Sequence, residues 1–199
     1  MKIRMALCLA LALTACAAPA PVDVRGQLTR ARITASPEPL LLAELPTRNL
    51  SATMIPYGRN GAIVTWRTGD FVTVALDHGI LVGTRGLGFD MMQADAAPTR
   101  RAIAEGPQEY KRLYRYLDGQ NHMITRGFAC RMTAQGTASV TIFARSFETR
   151  HLTELCANRD QDFMNEYWIT DGGMVKSAQW VGPEAGMIAL EHLSDPQAQ

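Results

Sequence analysis

The side chains best equipped for chemistry in this sequence are two cysteines, one histidine–glutamate pair and a run of aromatic and amide residues near the carboxyl end. Cys130 and Cys156 stand 26 residues apart with no CxxC arrangement, a spacing that argues against a zinc or redox centre and leaves a disulfide or two buried thiols. His151 and Glu154 are three apart. On a helix they would share a face as metal ligands, but in a strand they point to opposite sides, and this stretch reads as extended, so no metal ligand is assigned. The densest cluster is Asn165, Tyr167, Trp168, Gln179 and Trp180. Large aromatics bury about 150–250 Å² each, so Trp66, Trp168 and Trp180 read first as plugs of a core or rim. The alternative is a contact surface in which Tyr167, Trp168 and Trp180, flanked by Asn165 and Gln179, meet a ligand or partner. No Ser-His-Asp set, GxSxG elbow, paired-histidine motif or distinctive carboxylate pair can be assembled. The chain therefore reads as a non-enzyme with no catalytic residues and no cofactor.

Hairpins must position these residues. Between Leu40 and Leu193 apolar residues recur at spacing two, or in short runs broken by Gly, Asp and Asn, which is the pattern of strands. The predicted strands are 50–57, 62–67, 71–76, 80–84, 109–117, 122–132, 138–146, 149–156, 163–170, 174–180 and 187–193. Tight turns fall at Gly58–Gly61, Thr68–Asp70, Asp77–Gly79, Asp118–Gly119, Gln135–Gly136 and Asp171–Gly173. Only Pro98 to Glu105 reads as a helix, with Pro in its first turn and Gly106-Pro107 as its stop. The expected fold is mainly β: sequential antiparallel hairpins forming a curved sheet or barrel-like domain with one short helix.

At 199 residues, 47% apolar and 20% charged, the chain can bury one real core, which excludes wholesale disorder. Met1-Lys-Ile-Arg4, the apolar run Met5 to Leu13 and Thr14-Ala15 have the three-part shape of a secretory leader, too short to span a bilayer. The full chain carries a formal charge of +1, and loss of Lys2 and Arg4 with the leader makes it −1. A nucleic-acid partner is excluded by the missing basic excess. Leu13-Thr14-Ala15-Cys16 resembles a bacterial lipobox, which implies that Cys16 becomes the acylated first residue, carrying fatty chains such as palmitate. Several such chains anchor stably, at about 0.8 kcal/mol per buried methylene. Ala17, where an Asp would hold such a protein at the inner membrane, points to the outer membrane. Residues 1–15 are thus expected as signal peptide, 16–39 as a Pro-rich flexible tether and 40–199 as the single β-rich domain. An oxidising compartment favours the Cys130–Cys156 disulfide, stabilising by roughly 3 kcal/mol.

Tyr167-Trp168, Asp171, Gly173, Lys176-Ser177, Gln179-Trp180 and Gly182-Pro183, with Trp66, Asp77-His-Gly79 and Thr84-Arg-Gly86-Leu87-Gly88, resemble the YjbF/GfcB-type family of group 4 capsule polysaccharide lipoproteins, over Leu40 to Leu193. The resemblance implies a lipid-anchored protein on the periplasmic face of the outer membrane, with an accessory or structural role in exopolysaccharide or capsule secretion. It also implies partners: a large outer-membrane β-barrel export protein and periplasmic export companions. No catalytic residues are carried over. The competing readings are a polysaccharide-binding module using the aromatic cluster and, third, a polysaccharide-modifying hydrolase, which would need two carboxylates about 5–10 Å apart in a cleft.

Overall fold

A computed structural model describes residues 23–118 and 120–194. The strands are β1 (Leu41–Leu45), β2 (Leu50–Asn60), β3 (Ile63–Arg67), β4 (Thr73–Asp77), β5 (Ile80–Arg85), β6 (Met91–Ala94), β7 (Glu109–Leu117), β8 (Met123–Ile142), β9 (Arg145–Ala157), β10 (Asp162–Thr170), β11 (Gly173–Gly182) and β12 (Gly186–His192). The helices are α1 (Val24–Gln27), α2 (Arg30–Thr34) and α3 (Ala97–Glu105). All twelve strands form one antiparallel sheet, ordered β5-β4-β3-β2-β1-β12-β11-β10-β9-β8-β7-β6. Every neighbour except β1–β12 is a sequential connection, as expected of chained hairpins.

The sheet curls until its two edges, β5 and β6, meet in a nearly closed barrel. Side chains stand in for a ladder at this seam. Met91 N donates to Thr84 Oγ1 (3.0 Å) and Arg85 Nη1 to the Met91 carbonyl (3.1 Å), while Asp90 collects the Gly86 and Leu87 amides. Across the interior, Gln179 on β11 ties β5 in place: its Oε1 accepts from Leu81 N (2.8 Å) and its Nε2 donates to the Gly79 carbonyl (2.7 Å). Edges held this way expose no long unpaired strand.

Alternation decides what fills the barrel. β10 sends Phe163, Asn165, Tyr167 and Ile169 inward, and β7 sends Arg112, Tyr114 and Tyr116. The main core joins Tyr114, Tyr116 and Phe163 to Trp66, Leu41, Met54, Leu76, Leu81, Phe128, Ile188 and Leu190. Tyr114, Phe128 and Phe163 meet edge-to-face with centroids 5.0–5.7 Å apart, the geometry that aromatic quadrupoles favour. Helix α3 covers one end of the barrel, packing Ala102 near Ile80, Met132, Leu152, Tyr167 and Met174.

Several expectations are corrected. β1 and β6, of five and four residues, were not expected as strands. Residues 122–132 and 138–146 are not separate strands: β8 runs 20 residues, and Gly136 (φ +98°) is a bulge rather than a turn. The hairpin turn is at Phe143–Ala144, both at positive φ. The segment expected as a flexible tether, 16–39, is ordered within the described residues from Asp23 onward. α2 buries Ile33 against Leu42, Ile142, Val175 and Leu193. Arg25 of α1 bridges Glu44 (2.6 Å) and Glu191 (2.9 Å). The tip of the β8–β9 hairpin folds onto the same outer cluster through Val140, Phe143 and Phe147. The leader and Cys16 lie outside the described residues.

Candidate functional site

The strongest concentration of polar chemistry lies inside the barrel, beneath α3. Glu154 projects inward from β9, opposite Met132 of β8 and Asn165 of β10 in the strand register. Its carboxylate is fully buried, and Arg112, 1% exposed, lies beside it. Glu154 Oε1 accepts from Thr99 Oγ1 and Tyr110 OH, each at 2.7 Å. Oε2 accepts from Arg112 Nη1 (2.8 Å), Asn165 Nδ2 (2.6 Å) and Tyr167 OH (2.7 Å). Burial alone would raise the Glu154 carboxyl, but the Arg112 guanidinium and the hydrogen bonds from Thr99, Tyr110 and Asn165 outweigh it and hold the group below its usual range. Burial, reinforced by the Glu154 charge, pushes the Tyr110 and Tyr167 phenols up. A carboxylate that is ionised, sealed from solvent and already accepting five hydrogen bonds has little capacity left for a substrate proton. Its physical effect is to clamp α3, β7, β9 and β10 into one unit.

The cysteines lie next to it. Cys130 and Cys156 face each other in the β8–β9 register and form a disulfide. Their sulfurs and a Glu154 oxygen lie within 4.8 Å of one another, a grouping that resembles a metal site on distance alone. Both sulfurs are spent on each other, so the thiolates that a zinc site requires are not available. His151 and Glu154 point to opposite sides of β9, as an extended strand requires. On the outer side His151 stacks on Trp168 (4.6 Å, 5° between planes) and its Nε2 lies 3.0 Å from Glu166 Oε2.

The aromatic and amide cluster splits between the two faces of the sheet. Tyr167, Asn165 and Gln179 are buried in the interior, two of them committed to Glu154 and the third to β5, so they present no surface to a ligand. Asn165 Oδ1 also accepts from the Trp180 backbone N–H (2.7 Å), and the Trp180 ring stacks on Phe163 (5.2 Å, 10°). Trp168 is half-buried on the outer face, with Lys176 Nζ 5.4 Å from its ring centre. The ligand platform proposed for these five residues is therefore not assembled; four of them are structural. Sequence reasoning missed Arg112 and weighed Glu154 only as a partner of His151, not as the centre of a buried cluster.

The open concavities lie elsewhere. A groove of about 620 Å³ runs along the outside of the seam, with Thr65, Thr73, Arg85, Gln93, Asp95 and Arg115 among its walls. Both of its acids already have partners. Asp95 Oδ1 accepts from Ala97 N at the start of α3 (3.0 Å), and Asp77 Oδ1 pairs with Arg100 (3.0 Å) and His78 (2.6 Å). At the α3 end a smaller hollow of about 270 Å³ reaches His192 between the β2–β3, β4–β5 and β10–β11 turns. Burial lowers the His192 pKa to about 4.

The chain is thus a single antiparallel, nearly closed β-barrel domain with a plugged interior and a disulfide-stapled wall. By sequence the chain belongs to the family of group 4 capsule polysaccharide lipoproteins, gfcB and YjbF, whose profile matches residues 12–193. That family is one of membrane-anchored envelope lipoproteins connected with capsule polysaccharide. In three dimensions the chain is similar to the crystal structure of the hypothetical lipoprotein YmcC from Escherichia coli (K12), with a TM-score of 0.73 and 16% identity, covering 84% of this chain and 89% of that one. At that identity the likeness concerns the fold. No curated protein matches the chain by sequence.

Proposed function

We propose that this protein is a lipid-anchored accessory component of capsule or exopolysaccharide secretion at the periplasmic face of the outer membrane. It works by contact with an outer-membrane β-barrel export protein and its periplasmic companions rather than by catalysis. The observation that carries this reading is the extent of the family match, which begins at residue 12, takes in Leu13-Thr14-Ala15-Cys16 and continues through the last strand. The filled interior supports a scaffolding role, because the Glu154 carboxylate is sealed beneath α3 and already holds five hydrogen bonds. Deleting the gene should lower secreted polymer while leaving its sugar composition unchanged. Unchanged polymer yield would defeat the proposal.

A second reading, direct contact with polymer, is favoured by one feature: the seam groove, long and lined by hydroxyl, amide and charged side chains. It replaces the Tyr167–Trp180 cluster as the surface to test. Gln93→Ala with Arg115→Ala should abolish calorimetric heat on adding purified polymer without lowering Tm, and unaltered heat would dismiss the groove.

A further inference from the structure

Half of the large apolar side chains that stand exposed among the described residues gather around one end of the barrel. They are Leu50, Ile55, Tyr57 and Phe71, of eight such residues in all. This is the end opposite α3, where the β1–β2, β3–β4, β5–β6 and β11–β12 connections meet, tied by Thr47 Oγ1 donating to the Ala185 carbonyl and Arg48 Nη1 to the Leu87 carbonyl. Phe71 is 70% exposed and Tyr57 64%. Between them lies the guanidinium of Arg67, 4.7 Å from each ring centre, with its buried Nε lacking any hydrogen-bond partner.

Phe71 is held out deliberately. Its φ of +68° is a left-handed conformation that a bulky side chain adopts at a cost. Thr68 supports it: the Thr68 carbonyl accepts from Phe71 N (3.2 Å), Thr68 N donates to the Val72 carbonyl (2.9 Å) and Thr68 Oγ1 accepts from Val72 N (3.0 Å). Beside this turn an apolar crevice of about 140 Å³ opens between Leu50 and Thr68–Val72, walled by Leu45, Met54, Val74 and Leu87.

The chain itself says what this end faces. Asp23 borders a surface depression shared with Pro46, Asn49, Leu50 and Ser51, so the segment leading back to Cys16 leaves from this end. Asp23 stands seven positions after Cys16, a reach of roughly 25 Å even fully extended. β2 alone, with 11 residues, spans roughly 35 Å of the barrel. The link is thus shorter than β2 is long, which draws the end that carries Leu50 and Phe71, rather than the α3 end, toward the bilayer.

We infer that Leu50, Ile55, Tyr57, Phe71 and the stacked Arg67 form a bilayer-docking surface, which seats the body on the headgroup region of the membrane that holds its acyl chains. This inference rests on the lipid anchor at Cys16 proposed above. Aromatic rings and a cation with its charge spread over two ring faces suit the boundary between headgroups and acyl chains. With the acyl chains the patch supplies a second attachment, which fixes orientation, and the α3 end is turned toward the periplasm.

The full lipidated chain, reconstituted in phosphatidylethanolamine–phosphatidylglycerol vesicles with brominated acyl chains, tests it. Phe71→Trp and Tyr57→Trp place reporters on the patch, and Ala62→Trp places one in the exposed turn at the far end of β2. The emission added by each is read by difference from the wild type. The bromolipid should quench at least about half of the emission added at 71 and 57 and almost none at 62. Equal quenching at both ends, or none at 71 and 57, overturns the docking surface while leaving the anchor standing. Failure of the wild-type chain to float with the vesicles overturns the anchor and the docking surface together.

Discussion

Glu154→Gln tests the internal clamp most sharply. The substitution is nearly isosteric, so it opens no cavity; what changes is charge and hydrogen bonding. Arg112, 1% exposed, would lose its counterion, and the three donors now served by Oε2, from Arg112, Asn165 and Tyr167, would face an amide that must place its NH2 group against donors on one side or the other. Breaking a buried pair by removing one partner costs about 3–5 kcal/mol, against a total stability of about 5–15 kcal/mol for a domain. Urea unfolding with the disulfide intact should show that loss at neutral pH with an unchanged m-value. The pH dependence carries a second signature. The folded-state pKa of Glu154 lies below its unfolded value, so the stability it supplies is present above the ordinary carboxylate pKa and disappears as pH falls through the folded one. The gap between wild type and Glu154→Gln should therefore narrow on acidification. A loss below about 1 kcal/mol at neutral pH, or a gap indifferent to pH, would refute the reasoning.

Three further outcomes follow from the same packing. His192, lowered by burial from 6.5 to about 4, stays neutral when folded but takes a proton when unfolded. Wild-type stability should fall as pH drops from about 6.5 to 4, by up to roughly 3 kcal/mol, and His192→Gln should flatten that part of the curve; an identical curve would remove His192 as its source. Replacing both Cys130 and Cys156 by Ser should cost about 3 kcal/mol, visible as a lower urea midpoint, and a midpoint equal to wild type would count against the staple. Gln179→Leu strands the Leu81 amide and the Gly79 carbonyl, which should cost about 1–3 kcal/mol and raise hydrogen exchange first in β5; exchange rising uniformly instead would mean that Gln179 does not hold the seam.

Alternation made much of the barrel readable before any coordinates. In β10, Phe163, Tyr167 and Ile169 at even spacing announce an inward face, Asp171-Gly-Gly173 announces the turn that ends the strand, and Asp77-His-Gly79 announces the β4–β5 turn. The errors have physical causes. Phe143–Ala144 carries none of the Gly or Asn that normally signal positive φ, so the β8–β9 turn was placed a few residues late, and Gly136, which does carry that signal, makes a bulge instead. β6 is too short for a period to register. α1 and α2 sit among prolines and owe their order to tertiary partners, Arg25 on Glu44 and Ile33 against Val175 and Leu193, which local propensity cannot express. The buried pair left a trace that went unread: Arg112 and Glu154 occupy inward positions, alternating with Tyr114 and Tyr116 in one strand and with Leu152 and Cys156 in the other. A cation and an anion on the inner faces of two strands are costly unless they meet. The aromatic cluster misled for the opposite reason, since residue type alone does not say which side of a sheet Tyr167 and Gln179 will face.

Whether anchoring and contact suffice for function can be measured in one strain. If the chromosomal copy carries Cys16→Ala, the barrel is left intact but without its lipid. With the folded body present in the envelope at wild-type levels, secreted polysaccharide should fall to the amount seen in the deletion. Full polymer yield from the unacylated protein would contradict an action that depends on holding this barrel at the membrane.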